Sequence, residues 1–311
     1  RGSHVLQDAL GRLSKSQLAR ASEELAPHLL LMARHPFGNY VASTLAGFEH
    51  MHGLMASAFS GELRALLCNP QGSRVVQALL GAMPAAAARD LVAELDDGSL
   101  RVVADVARDT HGSWGVIAAF DKTRAPFILA SICEHVVPLA TQQNGCRVVQ
   151  AVLKAAAQGG MDIGAAVSGL IAGGLEHLAT HSFANYAVQV ALRHASAPQR
   201  EAMANELLPR LLALSASKHG SNVAESVLSL AQQPQLDQMC ETVFGPLGAP
   251  AVPPGDALRG LMEHPFGNYV LQTLVRRVAE PRRRADAIDK LRAATAPSNY
   301  GRSILARLGA E

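Results

Sequence analysis

A seven-residue string, HPFGNYV, stands at His35 to Val41 and returns letter for letter at His264 to Val270. A looser copy, HSFANYAVQVAL, lies between them at His181 to Leu192. This recurrence constrains the fold more than any other feature. Segments that recur with a period of about 20–50 residues build stacked arrays, in which each unit buries its apolar face only against its neighbours.

The string belongs to a broader pattern. A Gly or Ala is followed by a first edge residue, a stacking residue and, three positions further on, a second edge residue. The copies are Gly38-Asn39-Tyr40 with Ser43, Gly72-Ser73-Arg74 with Gln77, Gly112-Ser113-Trp114 with Ile117 and Gly145-Cys146-Arg147 with Gln150. They continue with Ala184-Asn185-Tyr186 and Gln189, Gly220-Ser221-Asn222 and Glu225, Gly267-Asn268-Tyr269 and Gln272, and Gly301-Arg302-Ser303 and Ala306. Successive first edge residues are 34, 40, 33, 39, 36, 47 and 34 positions apart. The longest spacing contains GPLGAPAVPPGD, a loop insertion at 245–256. A further copy opens the chain at Gly2-Ser3-His4 with Gln7. Residues 1–4 also read as the remnant of a cleaved expression tag, so only Gln7 is taken as native there.

Around each copy the apolar residues recur at helical spacing, as in Val75, Val76, Leu79 and Leu80. A breaker follows (Met83-Pro84, Ala197-Pro198, Glu280-Pro281), then a further helix such as Ala86 to Leu95. Each unit is therefore about three helices, none able to bury its face alone. The expected fold is an all-α solenoid forming one domain over residues 1–311. Composition agrees: 49% of residues are hydrophobic, 17% charged and only 4% aromatic, which favours packed helices over strands. Length alone would suggest about two globular domains, an estimate that a repeat array escapes.

Several function classes are disfavoured. No apolar run of about eighteen residues marks a membrane span, and no signal peptide is visible. Cys68, Cys133, Cys146 and Cys240 are too scattered for a zinc site or a disulfide framework. Glu49-His50-Met51-His52 lacks a metal-ligand order and reads as a surface turn. Cys146 has no His and acid partner placed for nucleophilic chemistry. There is no phosphate-binding glycine loop, so neither an enzyme nor a cofactor is expected. A net charge of +2 argues against indiscriminate polyanion binding through a large basic field. Arg276-Arg277 and Arg282-Arg283-Arg284 read either as phosphate contacts or as a solvated face.

First and second edge residues are four apart and share one helix face. Most are short donors, acceptors or amide and carboxylate forks, and the residues between them are flat stackers. That set suits nucleobases: an amide reads an edge, and Tyr, Arg or Trp supplies a plane.

These triplets resemble those of the Pumilio/PUF family of RNA-binding proteins over nearly the whole chain. The resemblance implies a right-handed, crescent-shaped solenoid whose concave face binds single-stranded RNA, one base per repeat, with the RNA antiparallel to the protein. In that family Asn with Gln reads uracil, Cys or Ser with Gln reads adenine, and Ser with Glu reads guanine. Carried over, Asn268, Tyr269 and Gln272 imply uracil, Ser221, Asn222 and Glu225 guanine, Asn185, Tyr186 and Gln189 uracil, and Cys146, Arg147 and Gln150 adenine. That order spells 5′-UGUA, the hallmark core of the family's targets. Ser73, Arg74 and Gln77 imply adenine two bases on, and Gln7 a terminal adenine. Asn39, Tyr40 and Ser43 imply a weak uracil preference, because Ser43 is short.

Ile117 cannot hydrogen-bond a base edge. Its repeat is tolerant of any base or ejects one, while Trp114 either stacks on RNA or packs between helices. The expected target is 5′-UGUA-N-A-(U)-(A). Residues 285–311 resemble the family's capping repeat, which reads no base. The family implies a monomeric cytoplasmic regulator of mRNA 3′ untranslated regions that recruits co-repressor proteins to its convex face. Two other readings are a divergent nucleolar class acting on ribosomal RNA and a protein-binding solenoid of the armadillo or HEAT kind.

Overall fold

A computed structural model describes residues 2–249, 256–295 and 299–309. The described residues are helices joined by turns, with no strand among them. Nine helices carry the recurring triplets: α1 (Gly2–Leu10), α2 (Gly38–Leu45), α3 (Gly72–Ala82), α4 (Gly112–Thr123), α5 (Gln143–Gln158), α6 (Ala184–His194), α7 (Gly220–Leu230), α8 (Gly267–Arg277) and α9 (Asn299–Leu308). Each complete repeat flanks such a helix with two others, as Leu63–Leu67 and Ala85–Val92 flank α3.

Contacts divide the chain into two units, one ending at Asp162 and one starting at Ile163. In the first unit α1 packs on α2, α2 on α3, α3 on α4 and α4 on α5. In the second, α6 packs on α7, α7 on α8 and α8 on α9. The core of each unit is the seam between consecutive repeats. Leu66, Val75, Val76, Leu79, Phe59 and Phe120 are fully buried in the first, and Val188, Leu192, Leu228 and Leu271 in the second.

Local sequence explains where the helices begin. Pro84 is the N-cap of Ala85–Val92, and Pro281 opens Pro281–Thr295, positions where a missing N–H removes no helical bond. Ser196 caps Ala197–Leu207 and Gln199 bonds back to its backbone, closing a capping box. The helix expected at Ala86 to Leu95 runs over Ala85–Val92 and tightens into a 3₁₀ turn at Ala93–Leu95. The glycine that opens seven of the triplets, from Gly38 to Gly301, answers a close approach. At Gly112 a Cβ would lie 2.5 Å from the carbonyl oxygen of Val106, on the preceding helix. Of the insertion expected at 245–256, Gly245 leaves the helix with φ 79°, and a new helix starts at Asp256. Residues 250–255 lie outside the described residues.

Candidate nucleic-acid interface

The turn before six of the triplet helices is tied by one side chain, four residues ahead of the first edge residue. In the first unit Asn69 Oδ1 accepts from the N–H groups of Gln71 and Gly72 at 3.0 and 2.8 Å. Asp109 Oδ1 does the same for His111 and Gly112, both at 2.8 Å. His35 uses its ring, Nδ1 accepting from Phe37 and Gly38 at 3.2 and 3.1 Å. In the second unit His181 Nδ1 accepts from Phe183 and Ala184, and His264 Nδ1 from Phe266 and Gly267, at 3.1 to 3.3 Å. Ser217 Oγ accepts from Gly220 at 3.1 Å. These acceptors satisfy N–H groups that would otherwise be orphaned at a helix start.

The triplet then splits by depth. First edge residues Asn39, Ser73, Ser113, Cys146, Asn185, Ser221 and Asn268 are buried. Stacking residues Tyr40, Arg74, Trp114, Tyr186, Asn222 and Tyr269 are exposed, and Arg147 is half-buried. Second edge residues Ser43, Gln77, Ile117, Gln150 and Glu225 lie at intermediate depth, while Gln189 and Gln272 are buried beside the exposed tyrosines.

The two edge residues meet as their i, i+4 spacing requires. Gln77 Nε2 donates to Ser73 Oγ at 3.0 Å, and Gln150 Nε2 to Cys146 Sγ and O, both at 3.2 Å. In the second unit Gln189 Nε2 donates to Asn185 Oδ1 at 3.1 Å, and Gln272 Nε2 to Asn268 Oδ1 at 3.2 Å. Each of these asparagines donates its own amide to the turn before it: Asn185 to the carbonyls of His181 and Ser182, Asn268 to those of His264 and Pro265. Asn39 does likewise with His35 and Pro36, but the short Ser43 makes no link back to it.

Glu225 differs from the glutamines. It turns to the next helix, accepting from Thr273 Oγ1 at 3.3 Å. Burial pushes its carboxyl pKa above the ordinary carboxylate range, and the Thr273 hydrogen bond and the charge of Arg276 pull it part of the way back. Ser221 donates to the carbonyl of Lys218.

Two stacking residues hold cationic partners. The Arg147 guanidinium lies over the Trp114 ring, 4.4 Å from its centroid, and Arg307 lies 5.7 Å from that of Tyr269. Trp114 is half exposed, its other half packed beneath the Arg147 guanidinium of the next triplet helix. Thr273, Arg307 and the capping histidines went unrecognised as site residues in the sequence. Thr273 directly follows an edge residue, and the histidines recur four positions before Asn, so both left a positional signal. Arg307 left none, because nothing in the triplet pattern marks it.

Two sequence expectations need correction. The run Arg282-Arg283-Arg284 is neither a free phosphate patch nor simply solvated at its centre: Arg283 is drawn between Asp237, Glu241 and Glu280 at 3.3 to 3.7 Å. Arg277 donates to the carbonyls of Leu228 and Ala231, and Arg276 to that of Arg307. The segment at Glu49 to His52 is not a surface turn throughout, since Met51 and His52 are buried at the start of helix Met51–Phe59. No metal-holding cluster of His, Cys, Asp or Glu occurs among the described residues. Gln7, the proposed terminal reader, is tied by its amide nitrogen to Tyr40 O and Thr44 Oγ1.

Comparison with known proteins accords with this geometry. The sequence pattern of the Pumilio-family RNA binding repeat matches residues 28–41, 65–95, 135–157, 176–208, 210–243 and 260–285, together more than half of the chain. A Pumilio domain-containing protein of Schizosaccharomyces pombe is 25% identical over 330 residues, covering 99% of this chain and 44% of that protein. Fem-3 mRNA-binding factor 2 of Caenorhabditis elegans is 26% identical over 305 residues, 88% of this chain and 48% of its own. The chain thus spans about half the length of these relatives. Among solved structures, PUF-8 in complex with PBE-RNA superposes with a TM-score of 0.83 at 20% identity, over 99% of this chain and 89% of that one. The Puf3 RNA binding domain bound to the Cox17 RNA 3′ UTR recognition sequence site A gives 0.81 at 21%, over 99% and 91%. Fold, recurring triplets and pattern coincide, and the chain belongs to the Pumilio family of RNA-binding repeat proteins.

Proposed function

We propose that the chain binds single-stranded RNA of the form 5′-UGUA-N-A-(U)-(A), one base per triplet, with the RNA antiparallel to the protein. The observation that carries this reading is the in-register pairing of edge residues beside exposed stackers. Gln with Asn, Gln with Ser or Cys, and Glu225 turned to Thr273 rather than to Ser221 are three distinct hydrogen-bonding forks, set in the order that spells UGUA. A carboxylate accepts from both N1–H and N2–H of guanine, a donor pair no other base offers. Exposed Tyr, Arg and Trp supply stacking worth about 1–3 kcal/mol per base.

On this reading the biological role is post-transcriptional. A monomer bound to elements in mRNA 3′ untranslated regions in the cytoplasm lowers translation through co-repressor proteins that it recruits. The relatives support this by name: Fem-3 mRNA-binding factor 2 and the Puf3 domain are described as binding mRNA or its 3′ UTR sequence.

Fluorescence anisotropy tests the reading, with 5′-UGUAAAUA compared against the same RNA carrying ACA in place of UGU, at physiological salt. A loss of about a hundredfold or more is expected, as several base readouts at about 1–3 kcal/mol each are removed. Equal binding with steep salt dependence would instead mark a backbone binder of the nucleolar kind. Binding to neither RNA would point to a protein-binding solenoid.

A further inference from the structure

We propose that His181 and His264 are positioning residues that fix which way round the uracil-reading glutamines present their amides. This deepens the RNA reading above and rests on it. The geometry is a chain of hydrogen bonds with only one consistent polarity. Each His Nδ1 accepts two backbone N–H groups and so closes the turn. An accepting Nδ1 requires the ring proton on Nε2. The closed turn aims two carbonyls at the asparagine, at 2.7 and 3.1 Å for Asn185 and 2.9 and 3.0 Å for Asn268. Both carbonyls can only accept, so the asparagine must offer them Nδ2 and turn Oδ1 toward the glutamine. Oδ1 can only accept in turn, so it draws Nε2 of Gln189 or Gln272. The glutamine is left presenting Oε1 to a base.

An outward Oε1 discriminates between pyrimidines. Uracil carries a proton on N3 and can donate it to Oε1. Cytosine has a lone pair at N3, which would face Oε1 with no proton between them. At Gln189 the donors to Oε1 among the described residues are Arg193 and Ser226, both long at 3.4 Å, so a base proton competes well.

The adenine reader in α3 lacks this lock. There Gln77 meets the hydroxyl of Ser73, which donates to the carbonyl of His111 at 2.9 Å. A hydroxyl both donates and accepts, so it tolerates either amide orientation. In α2 the chain of bonds stops at Asn39, because Ser43 cannot extend it. The histidines occur only ahead of Asn-Tyr triplets, whereas Ser triplets carry Asn69, Asp109 or Ser217 at the same position.

The test compares His181→Ala and His181→Asn with the unaltered protein, on 5′-UGUAAAUA, on the same RNA with C as its third base, and on the same RNA with A as its second base. With His181→Ala the preference for U over C at the third base should fall by about tenfold, the low end of a base-pair readout, while the preference for G at the second base holds. His181→Asn should restore the U preference, since Asn69 makes the same cap in α3. An unchanged U-to-C ratio in His181→Ala, an equal fall in both preferences, or His181→Asn behaving like His181→Ala would each overturn the proposal. If His181→Ala does not fold, the histidine tautomers of the unaltered protein decide by ¹⁵N-resolved NMR. Nε2–H at His181 and His264 supports the chain of bonds, and Nδ1–H overturns it. An unaltered protein without preference for UGUA over ACAA would instead overturn the RNA reading itself.

Discussion

Glu225 shows what a single residue contributes at the edge of a base. Its carboxylate is half-buried, and burial raises its pKa despite help from Thr273 and Arg276. Acidification therefore acts on it in opposite directions. Protonation relieves the cost of burying a charge, so the contribution of Glu225 to fold stability rises as pH falls through its raised pKa. The same protonation removes an acceptor that guanine needs. Preference for G over A at the second base should then decline on acidification, starting above the pH at which an ordinary carboxylate titrates. Anisotropy across a pH series checks this, and Glu225→Gln should flatten the series. That substitution should also weaken binding to the UGUA target by about 1–3 kcal/mol. No loss on RNA with G at the second base would remove Glu225 from the interface. The residue's identity as a reader was legible in the sequence because triplets recur in register. Its partner Thr273 was not, because the contact joins two helices 48 positions apart.

At the scale of one helix, α4 is the exception within the array. It keeps the opening glycine, the capping Asp109 and an exposed stacker, yet places Ile117 where its neighbours carry a polar fork. Ile117→Gln should create a base preference at the fifth position where none existed, read as a spread in affinity among four RNAs differing only there. The glycine is structural. Gly112→Ala would bring a methyl group against Val106 O, and overpacking of this kind costs about 1–3 kcal/mol, to be read as a lowered urea midpoint without loss of base selectivity in the folded fraction. Helix starts and the period of the array were plain in the sequence, because Pro84, Pro198 and the recurring Gly act through neighbours one turn away. The fate of Arg283 and His52 was hidden. Arg283 is held by Asp237 and Glu241 more than forty positions earlier, and His52 is buried by packing that no local pattern specifies.

For the whole molecule, repeats that touch only their neighbours should behave as nearly independent readers. Glu225→Gln and Ile117→Gln share no partner and stand several repeats apart. Their effects on binding free energy should add to within about 0.5 kcal/mol on RNAs varied at the second and fifth bases. A large coupling between them, measured by a double-mutant cycle, would mean that the strand is read as a unit rather than base by base. The modest net charge bears on the same scale. With +2 overall, selectivity must come from the forks and stackers more than from a general attraction to phosphate.

The Arg147 guanidinium lying on Trp114 has an optical consequence. Trp114 is the only tryptophan in the chain, it is half open to solvent, and a cation rests on its face. Its emission therefore comes from a single site, the fifth base-reading triplet counted back from α8, and no other residue of the chain contributes indole fluorescence. A base that slides between guanidinium and ring changes the quantum yield, whereas a strand that bulges past leaves the spectrum as it was. The protein thus reports, without any added dye, whether the base opposite Ile117 is taken up or left out.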